Sequence, residues 1–425
     1  MLNEATRQFV RLHADDDVRR LALQTHAAPD VDLPLALNQI RGRQIARQKL
    51  PSWAEIEEIA YPPHLSMEQC SSEQTAQYKA QLLARFVSTF CKQTHFIDLT
   101  GGLGVDFSFI AQALGACKAV YVECDAYLCE LARHNFPLLG LPNAEIVCDT
   151  AENFLENPSS LHTPHSSKSQ HPSLNTEHLT PTIIFLDPAR RDAHGNRTYA
   201  LADCTPNVLE IRDELLKIAD FIVLKLSPML DWHRAVEELG NVSEVHIVSV
   251  ANECKEMLLV MKKNPENLKI FCANDQQLFS YEETGTIAQK HAVPCISDVA
   301  SLAEKSHLFV PNASVMKAGC FAELCEQFHL EALAPNSHLF VRVGDDKQED
   351  FPGRKFQISA ISSMNKREIR EKLGGIAQAN IAVRNFPMKP EELRRRLKMR
   401  EGGDTYIFAT TLADKKHVLI VCKHV

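Results

Sequence analysis

Four segments of this 425-residue chain each close a short apolar run on a carboxylate, and together they could do chemistry. The first is FIDLTGGLGVDF, residues 96–107, where Asp98 is followed by Thr100 and by Gly101, Gly102 and Gly104. Such a loop lets the backbone take positive φ and approach a ligand closely, and the helix after it offers unpaired amides. The second is VYVECDAY, with Glu123 and Cys124, and Asp125 as the fallback acid. The third, EIVCDTAENF, ends on Asp149 with Cys148 beside it, and the fourth is IIFLDPARRD, carrying Asp187, Pro188, Arg190 and Arg191.

The acids decide what the glycine loop can hold. A dinucleotide fingerprint needs a small residue at 107, where Phe107 stands. It would also set a pyrophosphate against the helix N-terminus, where Asp98 and Asp106 add negative charge. S-adenosylmethionine (SAM) has no phosphate and carries an ammonium and a sulfonium, so a carboxylate at the first strand end suits it. Glu123, in the next strand end, could accept both ribose hydroxyls, and Asp149 the adenine amino group. Three acids at successive strand ends follow the order a nucleoside requires.

The fourth segment faces the transferred group. Enzymes that methylate exocyclic amines often have an aromatic directly after Asp-Pro-Pro, but Arg190 stands there in this chain. Tyr199 could supply the stacking surface instead, and Arg190 and Arg191 could hold an anion such as phosphate. DPAR also resembles the DPPR of uridine-5-methyltransferases, which need a cysteine after the fifth strand. This chain has LKLSP there, so a covalent mechanism is not expected; Cys254 is the nearby thiol. Lys225, in the same run, either orients substrate or is structural.

These residues need a scaffold. HFIDLT, AVYVEC, AEIVCD, IIFLDP and FIVLKL are short, apolar and separated by helix-compatible stretches. That alternation predicts a doubly wound parallel sheet covered on both faces. EVHIVSVAN and EMLLVMKK lie too close together for a parallel crossover, so they should be antiparallel neighbours. Five parallel strands ending in an antiparallel pair form the Rossmann-like seven-stranded sheet of class I methyltransferases.

Around this sheet we expect a proline-punctuated helical region over 1–90 and a SAM domain over 91–263. A Ser/His/Pro-rich loop over 157–181 interrupts the latter. A small α/β domain over 264–335 and a C-terminal domain over 336–425 follow. In the small domain, ASVMKAGCFAELCEQF reads as one helix between two strands. The last domain reads as strand, helix NKREIREKL, strand, helix KPEELRRRLKM and a final hairpin. Net charge is −8, yet residues 351–400 hold thirteen Lys or Arg against four Glu, including Arg394, Arg395, Arg396 and Lys398. Such a patch suits a phosphate backbone. The 13 cysteines show no zinc-ligand spacing and no apolar run reaches membrane-spanning length. A metal-free cytoplasmic protein is expected, with no membrane association.

KLPSW, LSMEQCSSEQTAQYKA, DLTGGLGVDF, FLDPARR, LKLSPMLD, ANECKE and the terminal RRRLKMREGGDTYIFATTLADKKHVLIVCK together resemble a known family. It is the bacterial class I SAM-dependent methyltransferases with a C-terminal THUMP-like domain. The resemblance implies a SAM-binding fold, a small ferredoxin-like domain and THUMP-like contact with RNA, such as tRNA or rRNA. By matching position, Asp98, Gly102, Glu123 and Asp149 would hold SAM, Asp187 and Pro188 would flank the acceptor, and Ser72 and Thr75 would cap the cofactor. Methylation of a protein or small molecule, and a non-catalytic RNA-binding role, are the competing expectations.

Overall fold

The computed structural model describes residues 3–24, 28–87, 94–116, 118–156, 181–189, 200–283, 292–303, 305–342 and 350–425. Arg190, Arg191 and Tyr199 fall outside these, as does the expected insertion at 157–181 apart from Pro181. The chain forms two compact units, 1–244 with 257–266 and 245–256 with 267–425.

In the first unit the N-terminal region is helical: α1 (Glu4–Leu12), α2 (Val18–Gln24), α3 (Leu33–Lys49), α4 (Pro51–Ala54), α5 (His64–Gln69) and α6 (Glu73–Ala84). Prolines punctuate it as their missing amide requires, Pro34 and Pro51 sitting at helix starts. Ser72 caps α6, which buries Thr75, Ala76, Lys79, Ala80, Leu82 and Leu83 along one stripe. Lysine on such a stripe must find a buried partner.

Alternating strands and helices follow: β1 (His95–Asp98), α7 (Val105–Leu114), β2 (Lys118–Glu123), α8 (Ala126–Leu138), β3 (Glu145–Cys148) and α9 (Ala151–Glu156). Then come β4 (Thr182–Leu186), α10 (Val208–Ile218), β5 (Phe221–Leu226), α11 (Trp232–Leu239), β6 (Val242–Val250) and β7 (Glu253–Met261). β1 pairs in parallel with β2 and β4, β2 with β3, and β4 with β5. β5 meets β7 antiparallel, with Leu226 opposite Met257. The order β3-β2-β1-β4-β5-β7-β6, the first seven of the nine strands in the sheet, is the expected class I methyltransferase order. The turn from β6 to β7 is only Ala251 and Asn252, both at positive φ (50° and 60°). Two such residues make a turn whose twist suits a hairpin, which explains the antiparallel pair. Strand order reverses at β1 and β4, and ligands of open α/β sheets bind at the carboxyl ends of such a reversal.

In the second unit β8 (Leu268–Asn274) and β9 (Gln277–Glu283) form an antiparallel hairpin. It is followed by α12 (Val299–Ala303), β10 (His307–Pro311), α13 (Ala313–Ala318), α14 (Phe321–Phe328), β11 (Glu331–Ala332) and β12 (Phe340–Arg342). The last elements are β13 (Gly353–Ser363), α15 (Lys366–Leu373), β14 (Asn380–Arg384), α16 (Pro390–Leu397), β15 (Thr405–Thr411) and β16 (His417–His424). The single helix expected over ASVMKAGCFAELCEQF is two, because Gly319 adopts φ 72° and caps α13. Seven strands make one sheet, β11-β12-β10-β13-β16-β15-β14. One face packs Leu308, Phe356, Phe408 and Val418 under Ile296, Leu302 and Leu333. The other packs Ile381, Ile407, Leu419 and Val421 under Leu373 of α15 and Leu393 of α16.

Candidate active site

The glycine loop between β1 and α7 rests on an aromatic floor. Phe107, Tyr121 and Phe136 are buried, and their ring centroids lie 4.8–5.6 Å apart. A Cβ on Gly101 would come within 2.1 Å of the Tyr121 ring, and one on Gly104 within 2.6 Å of Phe136. Above Gly102, at φ 55°, the nearest atom to an added Cβ is 3.9 Å away, so the loop is tight below and open above. Gly101 and Gly104 therefore serve packing, while Gly102 leaves room for a ligand.

Glu123 ties the loops together. One carboxylate oxygen accepts the Gly102 amide at 2.8 Å and the other the Asp125 amide at 2.8 Å, and its backbone oxygen accepts the Asp149 amide at 3.1 Å. Asp149 in turn accepts the Thr150 amide at 2.8 Å and the Asn153 side chain at 2.9 Å. Thr100 bridges β1 and β4, its hydroxyl accepting the Asp187 amide at 2.6 Å.

Asp98, Thr100, Gly101, Gly102, Gly104, Glu123, Cys124, Asp149, Asp187, Pro188 and Lys225 all line one cleft of about 860 Å³. That is within the range of small-molecule sites. The most informative member is Asp98, 1% exposed, with its carboxylate accepting the Thr100 amide at 3.0 Å. Burial pushes its carboxyl well above the usual range; the Thr100 bond opposes this, but the charges of Asp106, Asp187 and Glu123 push the same way. A desolvated carboxylate facing other carboxylates suits a cationic ligand, and the ammonium and sulfonium of SAM meet that requirement.

At the other end, Ala189 pairs with Thr205 through two backbone bonds of 2.8 and 2.9 Å, fixing the strand end that carries Asp187 and Pro188. The Lys225 ammonium lies 2.7 Å from Asp187, 3.0 Å from the Ser71 hydroxyl and 3.3 Å from Asp106. Asp106 also accepts from Ser71 at 2.7 Å and lies 3.2 Å from the fully buried Lys79. Burial opposes the Asp106 charge, but Lys79, Lys225 and Ser71 outweigh it and hold the carboxyl below its usual range.

Sequence reasoning named Ser72 and Thr75; here the Ser72 hydroxyl accepts the Thr75 amide at 3.3 Å as a helix cap. The cleft is lined instead by their neighbours Cys70 and Ser71. Reasoning from sequence missed Ser71, Lys79 and the pairing of Asp106. The available signal was Lys79 at apolar spacing on α6. Ser227 stands where a covalent mechanism would need a thiol, its hydroxyl accepting the Met229 amide at 3.1 Å. Cys70 borders the cleft, but burial pushes its thiol up, away from the thiolate. Cys254 lies in the second unit and is pushed up for the same reason. Among the described residues no group of three or more His, Cys, Asp or Glu could hold a metal ion.

In the second unit α16 is anchored by buried Leu393 and exposes Arg395, Arg396 and Lys398. Arg394 is partly covered and lies 3.4 Å from Glu401. α15 packs on the same face of the sheet through Leu373 and exposes Lys366, Arg367, Arg370 and Lys372.

Comparisons with known proteins bear on the fold and the family. Residues 353–424 match a family model described as THUMP domain-like, and 307–352 one described as a ferredoxin-like domain. The two matched segments share the seven-stranded sheet through β10 and β13. A crystal structure from Porphyromonas gingivalis W83, assigned as a methyltransferase, is 30% identical with a TM-score of 0.80, covering 100% of both chains. Proteins from two Mycobacterium tuberculosis strains, CDC 1551 / Oshkosh and ATCC 25618 / H37Rv, are 22% identical over 82% of this chain and 83% of theirs. Both are described as uncharacterized S-adenosylmethionine-dependent methyltransferases.

Proposed function

Because this chain belongs to the family of bacterial class I SAM-dependent methyltransferases with ferredoxin-like and THUMP-like C-terminal domains, we propose that its substrate is RNA, tRNA or rRNA, methylated at nitrogen. The observation that carries the RNA reading is the basic surface of α15 and α16 inside the THUMP domain-like segment. The two helices carry Lys366, Arg367, Arg370, Lys372, Arg394, Arg395 and Arg396 against Glu368, Glu371, Glu391 and Glu392, within a segment, 351–400, of thirteen Lys or Arg against four Glu, and such an excess attracts a phosphate backbone.

When bound, the cofactor supplies an electrophilic methyl on sulfur, so the protein's task is to position and desolvate an acceptor. In this reading Asp98 balances the cofactor's positive charge, Glu123 takes the ribose hydroxyls and Asp149 the adenine amino group. Asp187, 42% exposed at the cleft and held by Lys225, orients the acceptor N–H and takes its proton as the methyl arrives. Pro188 shapes the wall beside it, and Arg190 and Arg191 hold a substrate phosphate. A non-covalent mechanism follows from Ser227 in the thiol's place. None of the eleven described cysteines forms a disulfide, which supports a reducing, cytoplasmic setting. The helical region 1–90 and the domain 91–263 would carry the chemistry, and the domains 264–335 and 336–425 would bind substrate.

The test is transfer of labelled methyl from SAM to bacterial RNA by wild type and Asp187→Ala. The variant should lose at least about a hundredfold in rate while still binding SAM. Full activity in Asp187→Ala would remove Asp187 from the mechanism.

A further inference from the structure

Four charges meet beneath the methyl-transfer end of the cleft, and they come from four elements. Lys79 belongs to α6, Asp106 to the first turn of α7, Lys225 to the end of β5, and Asp187 to the residue after β4. Two are positive and two negative. Lys79 is fully buried, and the side chains of Asp106 and Lys225 are 11% and 12% exposed. In such surroundings charges interact more strongly than in water and an imbalance is costly.

The distances order these contacts. Lys225 lies 2.7 Å from Asp187 but 3.3 Å from Asp106, so its shorter bond goes to the acceptor side of the cleft. Asp106 is also engaged by Lys79 at 3.2 Å and by the Ser71 hydroxyl at 2.7 Å. Without Lys79, Asp106 would compete with Asp187 for the Lys225 ammonium. The four-carbon stem of lysine allows that shift, and Asp187 would lose the partner that fixes its carboxylate.

We propose that Lys79 is a positioning residue for methyl transfer: by holding Asp106, it leaves Lys225 to hold Asp187. The inference rests on the role of Asp187 in the proposed function. It makes the N-terminal helical region part of the methyl-transfer apparatus, joined to Asp187 through three successive ion pairs.

The test measures labelled-methyl transfer to RNA, SAM affinity and melting temperature for Lys79→Met, Lys79→Met/Asp106→Asn and Lys79→Met/Asp187→Ala. Lys79→Met should lower kcat about tenfold with SAM affinity within about threefold of wild type. Removing the competing carboxylate as well should restore most of the rate, because the remaining Lys225–Asp187 pair is again balanced. On the Asp187→Ala background the loss of Lys79 should cost nothing further, since its effect passes through Asp187. A purely structural lysine would instead lower stability and leave kcat per folded molecule unchanged.

Wild-type kcat in folded Lys79→Met, or an equal further loss on the Asp187→Ala background, overturns the proposal. If Lys79→Met does not fold, Lys79→Gln replaces it, keeping a donor without the charge. Activity of Asp187→Ala at the wild-type level defeats the Asp187 reading instead. A wild type that labels no RNA defeats the RNA reading alone. The crystal structure of the lysine variant then decides: Lys225 moved from Asp187 onto Asp106 supports the proposal, and Lys225 unmoved overturns it.

Discussion

In the proposed function, Asp98 is where protein stability and cofactor binding oppose each other. Its carboxyl is buried and pushed up in the cofactor-free protein, with Asp106, Asp187 and Glu123 as the negative groups facing it. An unfolded carboxyl ionises near pH ~4. From there up to its raised folded value, Asp98 is protonated when folded and ionised when unfolded. Stability therefore falls as pH rises through that window. A cationic ligand favours the ionised form, so SAM affinity should increase with pH across the same window and then level off. Asp98→Asn should remove that dependence, weaken SAM binding and raise the melting temperature of the cofactor-free protein at neutral pH. Calorimetric titration and thermal unfolding between pH 5 and 8 check both halves. An Asn variant with wild-type affinity and an unchanged pH profile would contradict this role.

Among the elements, the glycine loop and α16 each depend on a buried contact. Gly104 has φ 80°, and a Cβ there would meet Phe136. Gly104→Ala should cost about 1–3 kcal/mol from strain and overpacking and lower SAM affinity, read by denaturant unfolding and titration. Leu393 is 0% exposed beneath α16, so Leu393→Ala should cost about 2–5 kcal/mol of the second unit's stability. The acids at the ends of β1 to β4 were legible because parallel strands covered on both faces read as continuous apolar runs, and each run ended on its acid. The β6–β7 hairpin was legible from chain length alone. The β8–β9 hairpin was not, because its turn has no glycine: Asp275 takes φ 52° in its place. The break between α13 and α14 was available in Gly319 but masked by apolar residues on both sides. The ion pairs of Lys79 and Asp106 join residues 27 positions apart, and helical periodicity can mark such a lysine as buried without naming its partner.

Across the whole molecule, the proposed function assigns the two units different work. In that reading the carboxylates of the cleft face a cationic cofactor, and the cations exposed on α15 and α16 face RNA. Charge reversal at Arg395 and Arg396 should weaken RNA binding across sequences and flatten its salt dependence, by about one unit of log–log slope for each phosphate no longer neutralised. SAM affinity should stay as it was. Filter binding across a salt series reads the first effect and calorimetry the second. The central claim is that methyl groups pass from SAM to RNA, and the direct measurement offers labelled SAM and the full-length protein to RNA, protein and small-molecule fractions in parallel. The account predicts label in RNA, falling as salt rises and absent with Asp187→Ala. Label confined to the protein or small-molecule fraction would contradict the RNA claim, leaving a SAM-dependent methyltransferase whose basic helices serve another partner.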